Sequence, residues 1–254
     1  MTERWLLIGT DARIKELAKK MSSPHRTIFF KNTSSWDAGL NATVLDFCPD
    51  NIVLPIQPLS IDVPLLLGTK HVKFFTGRLT DEWRAMLKQE KIIPYLENEL
   101  FIWKNAALTV ESFISYMYEQ RQTIRGKHFV ITGFGRIAKL LAQALTSLHA
   151  KVTIAVRSKA QRHEAMMLGY EAINLQPQYM KDATALINTI PTQWLTQQFS
   201  EVIKMPIYDL ASAPGCLYYV TRNDYKPLLA LPGKYFPDDA AQLLYDSIVE
   251  GCEC

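Results

Sequence analysis

The chain has 254 residues, of which 48% are hydrophobic and 21% charged, so it is neither a disordered nor a collagen-like polymer and holds one large or two modest domains. Its 28 Lys and Arg against 25 Asp and Glu leave a net charge of +3 with no basic block, which argues against nucleic acid as a partner. No run approaches the ~18 apolar residues that span a bilayer, and the short apolar stretch near Met1 is flanked by Glu3 and Asp11, so neither a membrane span nor a signal peptide is expected and the expected location is cytoplasmic.

Short apolar runs alternate with helical periodicity, the pattern of parallel α/β units. Trp5-Leu-Leu-Ile8 reads as a first strand and Gly9-Thr-Asp11 as the turn into a helix, with Asp11 as N-cap and Ile14, Leu17, Ala18 and Met21 at helical spacing. Further strands are predicted over 27–30, 51–56 and 72–76, after which Thr80 caps a helix carrying Trp83, Met86 and Leu87. The spacing of Val110, Phe113, Ile114, Met117 and Tyr118 predicts a linking helix over 105–125. Phe129–Thr132 is the next strand, followed by a helix with Ile137, Leu140, Leu141, Ala144, Leu145 and Leu148 on one face, then strands over 152–156, 185–190, 206–210 and 228–231. A closing helix is predicted over 238–254. The fold class is therefore α/β, with two Rossmann-like domains of parallel sheet. Residues 1–104 form a substrate-side domain and residues 105–254 bind the dinucleotide.

The motif that carries chemistry is Gly133-Phe134-Gly135-Arg136-Ile137-Ala138, set between a strand and a long amphipathic helix as a G-x-G-x-x-A fingerprint requires. Gly133 permits the tight turn, and Gly135 lets backbone approach a pyrophosphate. Ala138 allows close helix–strand packing, and the helix N-terminus offers free N–H groups to the phosphates. An acidic residue about twenty positions on would hold an NAD ribose. The chain has Arg157, Ser158 and Lys159 there instead, a cationic set suited to a 2′-phosphate, so NADP is expected rather than NAD.

Three more segments follow predicted strands, where open α/β sheets bind ligands. Asn188, Thr189 and Ile190 lie in the first, Asp209 and Ala211 in the second, and Leu231 and Pro232 in the third; all are cofactor-binding candidates. The histidines, His25, His71, His128, His149 and His163, fall outside these loops, which disfavours alcohol oxidation with a histidine base. Cys48, Cys216, Cys252 and Cys254 follow no zinc spacing and read as free thiols, and the Cys252-Glu-Cys254 tail is too frayed to hold a metal.

Taken in order, these pieces resemble the NADP-binding chain of the dipicolinate synthase family: Gly9-Thr-Asp-Ala-Arg13, Ile52-Val-Leu-Pro55, Phe75-Thr-Gly77, Asn105 with Thr109-Val-Glu111, Gly133-Phe-Gly-Arg136, Ala155-Val-Arg-Ser158, Ile187-Asn-Thr-Ile-Pro191, Asp209-Leu-Ala-Ser212 with Pro214-Gly215, and Leu231-Pro-Gly233. The resemblance implies NADP-dependent oxidation of a dihydrodipicolinate-type intermediate to dipicolinate during sporulation. It also implies a flavoprotein-like partner subunit, and a homo-oligomer is expected. Hydride loss that aromatises a ring needs little acid–base help, which suits the missing histidine. A small dicarboxylate would be met by Thr10, Arg13, Thr76 and Arg136. The sequence departs from the family at Pro237-Asp-Asp-Ala-Ala241, where a Pro-Lys-Thr-Ala-Gly run is usual, and at Ser112 and Cys216, where glycine is usual. The alternatives are a diverged relative acting on another small carboxylate, and a non-catalytic NADP-binding sensor or partner subunit.

Overall fold

The computed structural model describes residues 2–68, 71–180, 182–219 and 222–252, with side chains through Glu250. In chain order the elements are β1 (Glu3–Ile8), α1 (Ala12–Met21), β2 (Arg26–Lys31), β3 (Ser35–Trp36), α2 (Ala38–Phe47), β4 (Asn51–Val53), β5 (Ser60–Ile61), β6 (Lys73–Thr76), α3 (Asp81–Met86), β7 (Lys91–Pro94) and α4 (Glu99–Glu119). There follow β8 (His128–Thr132), α5 (Arg136–Ser147), β9 (Lys151–Val156), α6 (Lys159–Met167), β10 (Glu171–Asn174), β11 (Ala185–Asn188), α7 (Gln197–Val202), β12 (Ile207–Asp209), β13 (Tyr225–Pro227), α8 (Leu231–Tyr235) and α9 (Pro237–Cys252). The chain forms two compact units, one of residues 1–105 with 232–254 and one of residues 106–231.

The first unit is a parallel sheet in the order β2-β1-β4-β6-β7. Alternation along its strands sends Trp5, Leu7, Val53 and Phe75 to one face and Leu6, Ile8, Ile52 and Phe74 to the other, each set buried in its own cluster. Ile14, Leu17 and Met21 of α1 and Ala241, Leu244 and Ile248 of α9 cover the first face. This corrects the expected domain boundary, since the closing helix belongs with residues 1–105 and not with the dinucleotide unit. The reason is its apolar stripe, which fits α1 and the Trp5 face. Burying each such Leu or Ile contributes roughly 1.5–3 kcal/mol. Trp36, Leu40 and Trp83 cover the second face, where the Trp83 indole donates to Leu59 O at 2.8 Å.

The expected linking helix begins earlier and ends earlier than the sequence suggested. Asn98 accepts from Phe101 N at 3.0 Å and caps α4, while Arg121 at φ 54° and the bond from Gln122 N to Met117 O end it. The unit boundary falls within α4, between Asn105 and Ala106.

The second unit is a parallel sheet in the order β10-β9-β8-β11-β12-β13, the doubly wound dinucleotide-binding order. The strand predicted over 228–231 lies instead at Tyr225–Pro227, an edge position where proline costs no ladder bond. Leu231-Pro-Gly233 is accordingly not a strand exit but the first turn of α8, a place that tolerates proline. Among the described residues no helix is long and apolar enough to cross a membrane, and no group of His, Cys, Asp or Glu is arranged to hold a metal.

Candidate functional site

Strand order in the second unit reverses between β8 and β11, which opens a crevice at the carboxyl ends of those strands. The Gly133 turn lies there, leaving β8 with φ +87° and its N–H bonded to Ala155 O at 2.9 Å. A Cβ on Gly133 would come within 2.9 Å of Thr189 Oγ1 and 3.1 Å of Ile190 Cγ1, so only glycine fits. Gly135 is the N-cap of α5 and makes no side-chain cap bond, and a Cβ built on it would meet nothing within 4 Å. The N-terminus of the 12-residue α5 is therefore open to close approach at Gly135, at the positive end of the helix, as a pyrophosphate requires. Phe134 contributes backbone only, since its ring is buried against Tyr170 at 6.2 Å.

One strand over, Val156 ends β9 and leads to Arg157, Ser158 and Lys159, all exposed. Ser158 caps α6 by accepting from Gln161 N at 3.3 Å. No carboxylate occupies the first turn of α6, and neither Arg157 nor Lys159 has a side-chain partner among the described residues. Two unpaired cations at the positive end of a helix are unfavourable by themselves and fit an incoming anion.

The next two segments face inward. Asn188 is 0% exposed and Asp209 1%, and they join each other through Asn188 Nδ2 and Asp209 Oδ1 at 2.7 Å. Thr132 Oγ1 and Trp194 Nε1 donate to Asn188 Oδ1, at 2.7 and 3.1 Å. Ala211 N, Cys216 N and the Tyr225 hydroxyl donate to Asp209. Burial and the Asp209 charge push both the Tyr225 hydroxyl and the Cys216 thiol to higher pKa, so neither ionises readily. Of the candidates that follow these strands, Thr189 and Ile190 are half-buried and Ala211 is buried, while the side chains of Asn188 and Asp209 turn inward and bond each other. Leu231 and Pro232 are buried at the start of α8, and the unit boundary falls between them.

In the first unit, strand order reverses between β1 and β4, and the Gly9-Thr10-Asp11 turn sits at that point. Asp11 caps α1 as expected and binds Arg13 twice over, through Nε at 3.0 Å and Nη2 at 2.5 Å. Burial pushes the Asp11 carboxyl up, but Arg13's hydrogen bonds and charge outweigh this and hold it below the usual carboxylate range. Arg13 is 7% exposed, and its Nη1 has no partner among the described residues. Gly233 packs on this pair so closely that a Cβ would be 2.7 Å from Arg13 Nε, a constraint with no sequence signal beyond the glycine itself. Thr10 is exposed on the same turn, whereas Thr76 is 0% exposed and its hydroxyl makes no hydrogen bond. Arg136 is exposed in the second unit, as the first residue of α5. Asp238, the departure that stands where a cation was expected, pairs with Lys20 at 2.9 Å across α1 and α9. The side chain of Cys252 and all of Cys254 lie outside the described residues.

Residues 103–204 match the family described as D-isomer specific 2-hydroxyacid dehydrogenase, NAD binding domain, and the match supports a nicotinamide dinucleotide as cofactor. No curated protein matches the chain in sequence. Three solved structures resemble it in fold. A dipicolinate synthase chain from Bacillus subtilis has a TM-score of 0.74 and 22% identity over 100% of this chain and 96% of its own. The corresponding dipicolinate synthase chain from Bacillus halodurans has a TM-score of 0.76 and 20% identity over 98% of each chain. A transhydrogenase from Sinorhizobium meliloti has a TM-score of 0.64 and 13% identity over 98% of this chain and 92% of its own. The likeness to dipicolinate synthase drawn from the sequence motifs thus holds at the level of fold.

Proposed function

We propose that this chain is an NADP-dependent dehydrogenase of the dipicolinate synthase type, oxidising a dihydrodipicolinate-like cyclic dicarboxylate to the aromatic pyridine. The observation that carries the reading is the uncapped α5 N-terminus beneath Gly133 and Gly135, with unpaired Arg157 and Lys159 at the end of the adjacent strand. NADP, when bound, supplies the hydride acceptor. The chain's own part is to bind and orient. The N–H groups at the start of α5 would hold the pyrophosphate, and Arg157 and Lys159 would neutralise the 2′-phosphate. On the substrate side, Arg13 is fixed by Asp11 and offers Nη1 to a carboxylate, and Thr10 adds a hydroxyl on the same turn. The chain needs no residue of high basicity, because the ring's second hydrogen leaves as a proton to solvent and aromatisation drives its loss. A homo-oligomer and a flavoprotein-like partner subunit belong to the same proposal.

The test is absorbance of reduced cofactor when the full chain is mixed with NADP and the freshly prepared condensation product of aspartate semialdehyde and pyruvate. The expected result is a signal that requires both additions, from the chain alone or with its partner subunit. NADP binding with no turnover in either case would reject the dehydrogenase in favour of a sensor.

A further inference from the structure

The carboxylate of Asp209 gathers four donors from separate segments: Asn188 Nδ2 at 2.7 Å, Ala211 N at 3.0 Å, Cys216 N at 2.7 Å and the Tyr225 hydroxyl at 2.8 Å. Those donors come from the end of β11, from two points in the segment after β12, and from β13. No cation among the described residues bonds it, so dipoles alone satisfy a charge that burial would otherwise make costly. A Cβ on Gly215 would lie 2.6 Å from the Tyr225 hydroxyl and 2.9 Å from Asp209 Oδ2, so the loop closes down on this group with no slack.

The same bonds reach the phosphate turn. Asn188, held by Asp209, donates to Ile190 O at 3.0 Å and accepts from Ile190 N at 3.2 Å and from Thr132 Oγ1 at 2.7 Å. Thr189 donates from Oγ1 to Thr132 O at 2.8 Å. Thr189 and Ile190 are the residues that a Cβ on Gly133 would strike. Hydrogen bonds therefore join Asp209 to Asn188, and Asn188 to Ile190 and Thr132, while Thr189 bonds Thr132 O beside the Gly133 turn.

We propose that Asp209 is a positioning residue for dinucleotide binding: it touches no cofactor atom, yet through Asn188 it fixes the Thr189–Ile190 ledge against which the phosphate turn is set. The inference rests on the dinucleotide reading of that turn. Asp209→Asn keeps the volume but turns an N–H₂ group toward the Cys216 N–H, and calorimetric titration of the full chain with NADP and, separately, NAD measures the consequence. The expected result is a loss of ~10-fold for both dinucleotides by the same factor, because the ledge serves the pyrophosphate and not the 2′-position. Tyr225→Phe, which removes one donor and little volume, is expected to lose ~3-fold and serves where Asp209→Asn does not fold. Thr189 bonds Thr132, the residue that Asn188 also holds, so the Asp209→Asn/Thr189→Ala double variant should bind within ~2-fold of the weaker single variant. Losses that multiply in the double variant, a loss confined to one dinucleotide, or lowered thermal stability with unchanged affinity would each overturn the proposal. A wild-type chain that binds neither dinucleotide would overturn the reading on which it rests.

Discussion

Arg157→Ala isolates the 2′-phosphate assignment. The side chain is exposed at the end of β9 and has no partner among the described residues, so its removal costs the fold almost nothing. Surface changes of this kind usually stay within ~0.5 kcal/mol, and the melting temperature should move by no more than ~2 °C. The cofactor should feel it more. A charge-assisted hydrogen bond is worth ~1.5–3 kcal/mol when shielded, and solvent around an exposed arginine trims this to ~1–2 kcal/mol, or ~5- to 30-fold in affinity. Lys159 remains nearby and keeps the loss toward the lower end. NAD carries no 2′-phosphate and should bind within ~2-fold of the unaltered chain.

The assay is titration of both dinucleotides into wild type and variant at ~0.05 and ~0.3 M salt, because an exposed ionic contact is screened as ionic strength rises. The difference between wild type and variant should shrink at the higher salt for NADP and stay absent for NAD. Equal weakening of the two cofactors would refute the argument, since it would place Arg157 at the pyrophosphate. No weakening of either would refute it as well, and would make the cationic start of α6 an ordinary solvated helix end.

Gly133→Ala should weaken both dinucleotides at least ~10-fold in a titration, because a side chain at φ +87° costs ~1–2 kcal/mol and its Cβ would displace Thr189. Leu244→Ala, at a 1% exposed position in α9, should destabilise the chain by ~2–5 kcal/mol, and hydrogen exchange should show the loss in α1 and β1, with α5 and β8 unchanged. Asp238→Lys faces Lys20 with a like charge and should lower stability by under ~1 kcal/mol without raising turnover; a gain in activity would show that the residue faces the substrate. His128 is held below its usual pKa by burial and by the Lys151 charge, so the unfolded chain takes up its proton first as pH falls. The folded state should lose stability on acidification below the ordinary histidine pKa of ~6.5, and His128→Gln should flatten that slope in melting curves taken at pH ~7.5 and ~5.5.

The parts of this molecule that the sequence discloses are those dictated by local steric or periodic rules. The Gly133 turn is legible because the tight exit from β8 and the close approach of Thr189 both demand glycine, and Asp11 is legible because an N-cap is a local choice of side chain. What the sequence hides is where an amphipathic element docks. The stripe of Ala241, Leu244 and Ile248 would suit any apolar surface, and only the folded chain shows that it meets α1 and the Trp5 face, more than two hundred residues away in sequence. Polar residues at strand ends carry a deeper ambiguity. Asn188 and Asp209 stand where cofactor ligands stand, and their residue types are right for that task, yet their side chains turn inward and bond each other. Position along a strand gives the edge, but the choice between facing a ligand and holding the backbone that faces it depends on donors such as Tyr225 and Trp194, supplied by segments with no motif of their own. The inward choice still bears on function. On the proposed dinucleotide reading, a buried amide that Asp209 holds and that bonds both backbone groups of Ile190 removes that residue's freedom to relax, so the ledge beneath the phosphate turn is set before a dinucleotide arrives. The ordering entropy is then met during folding and not on binding.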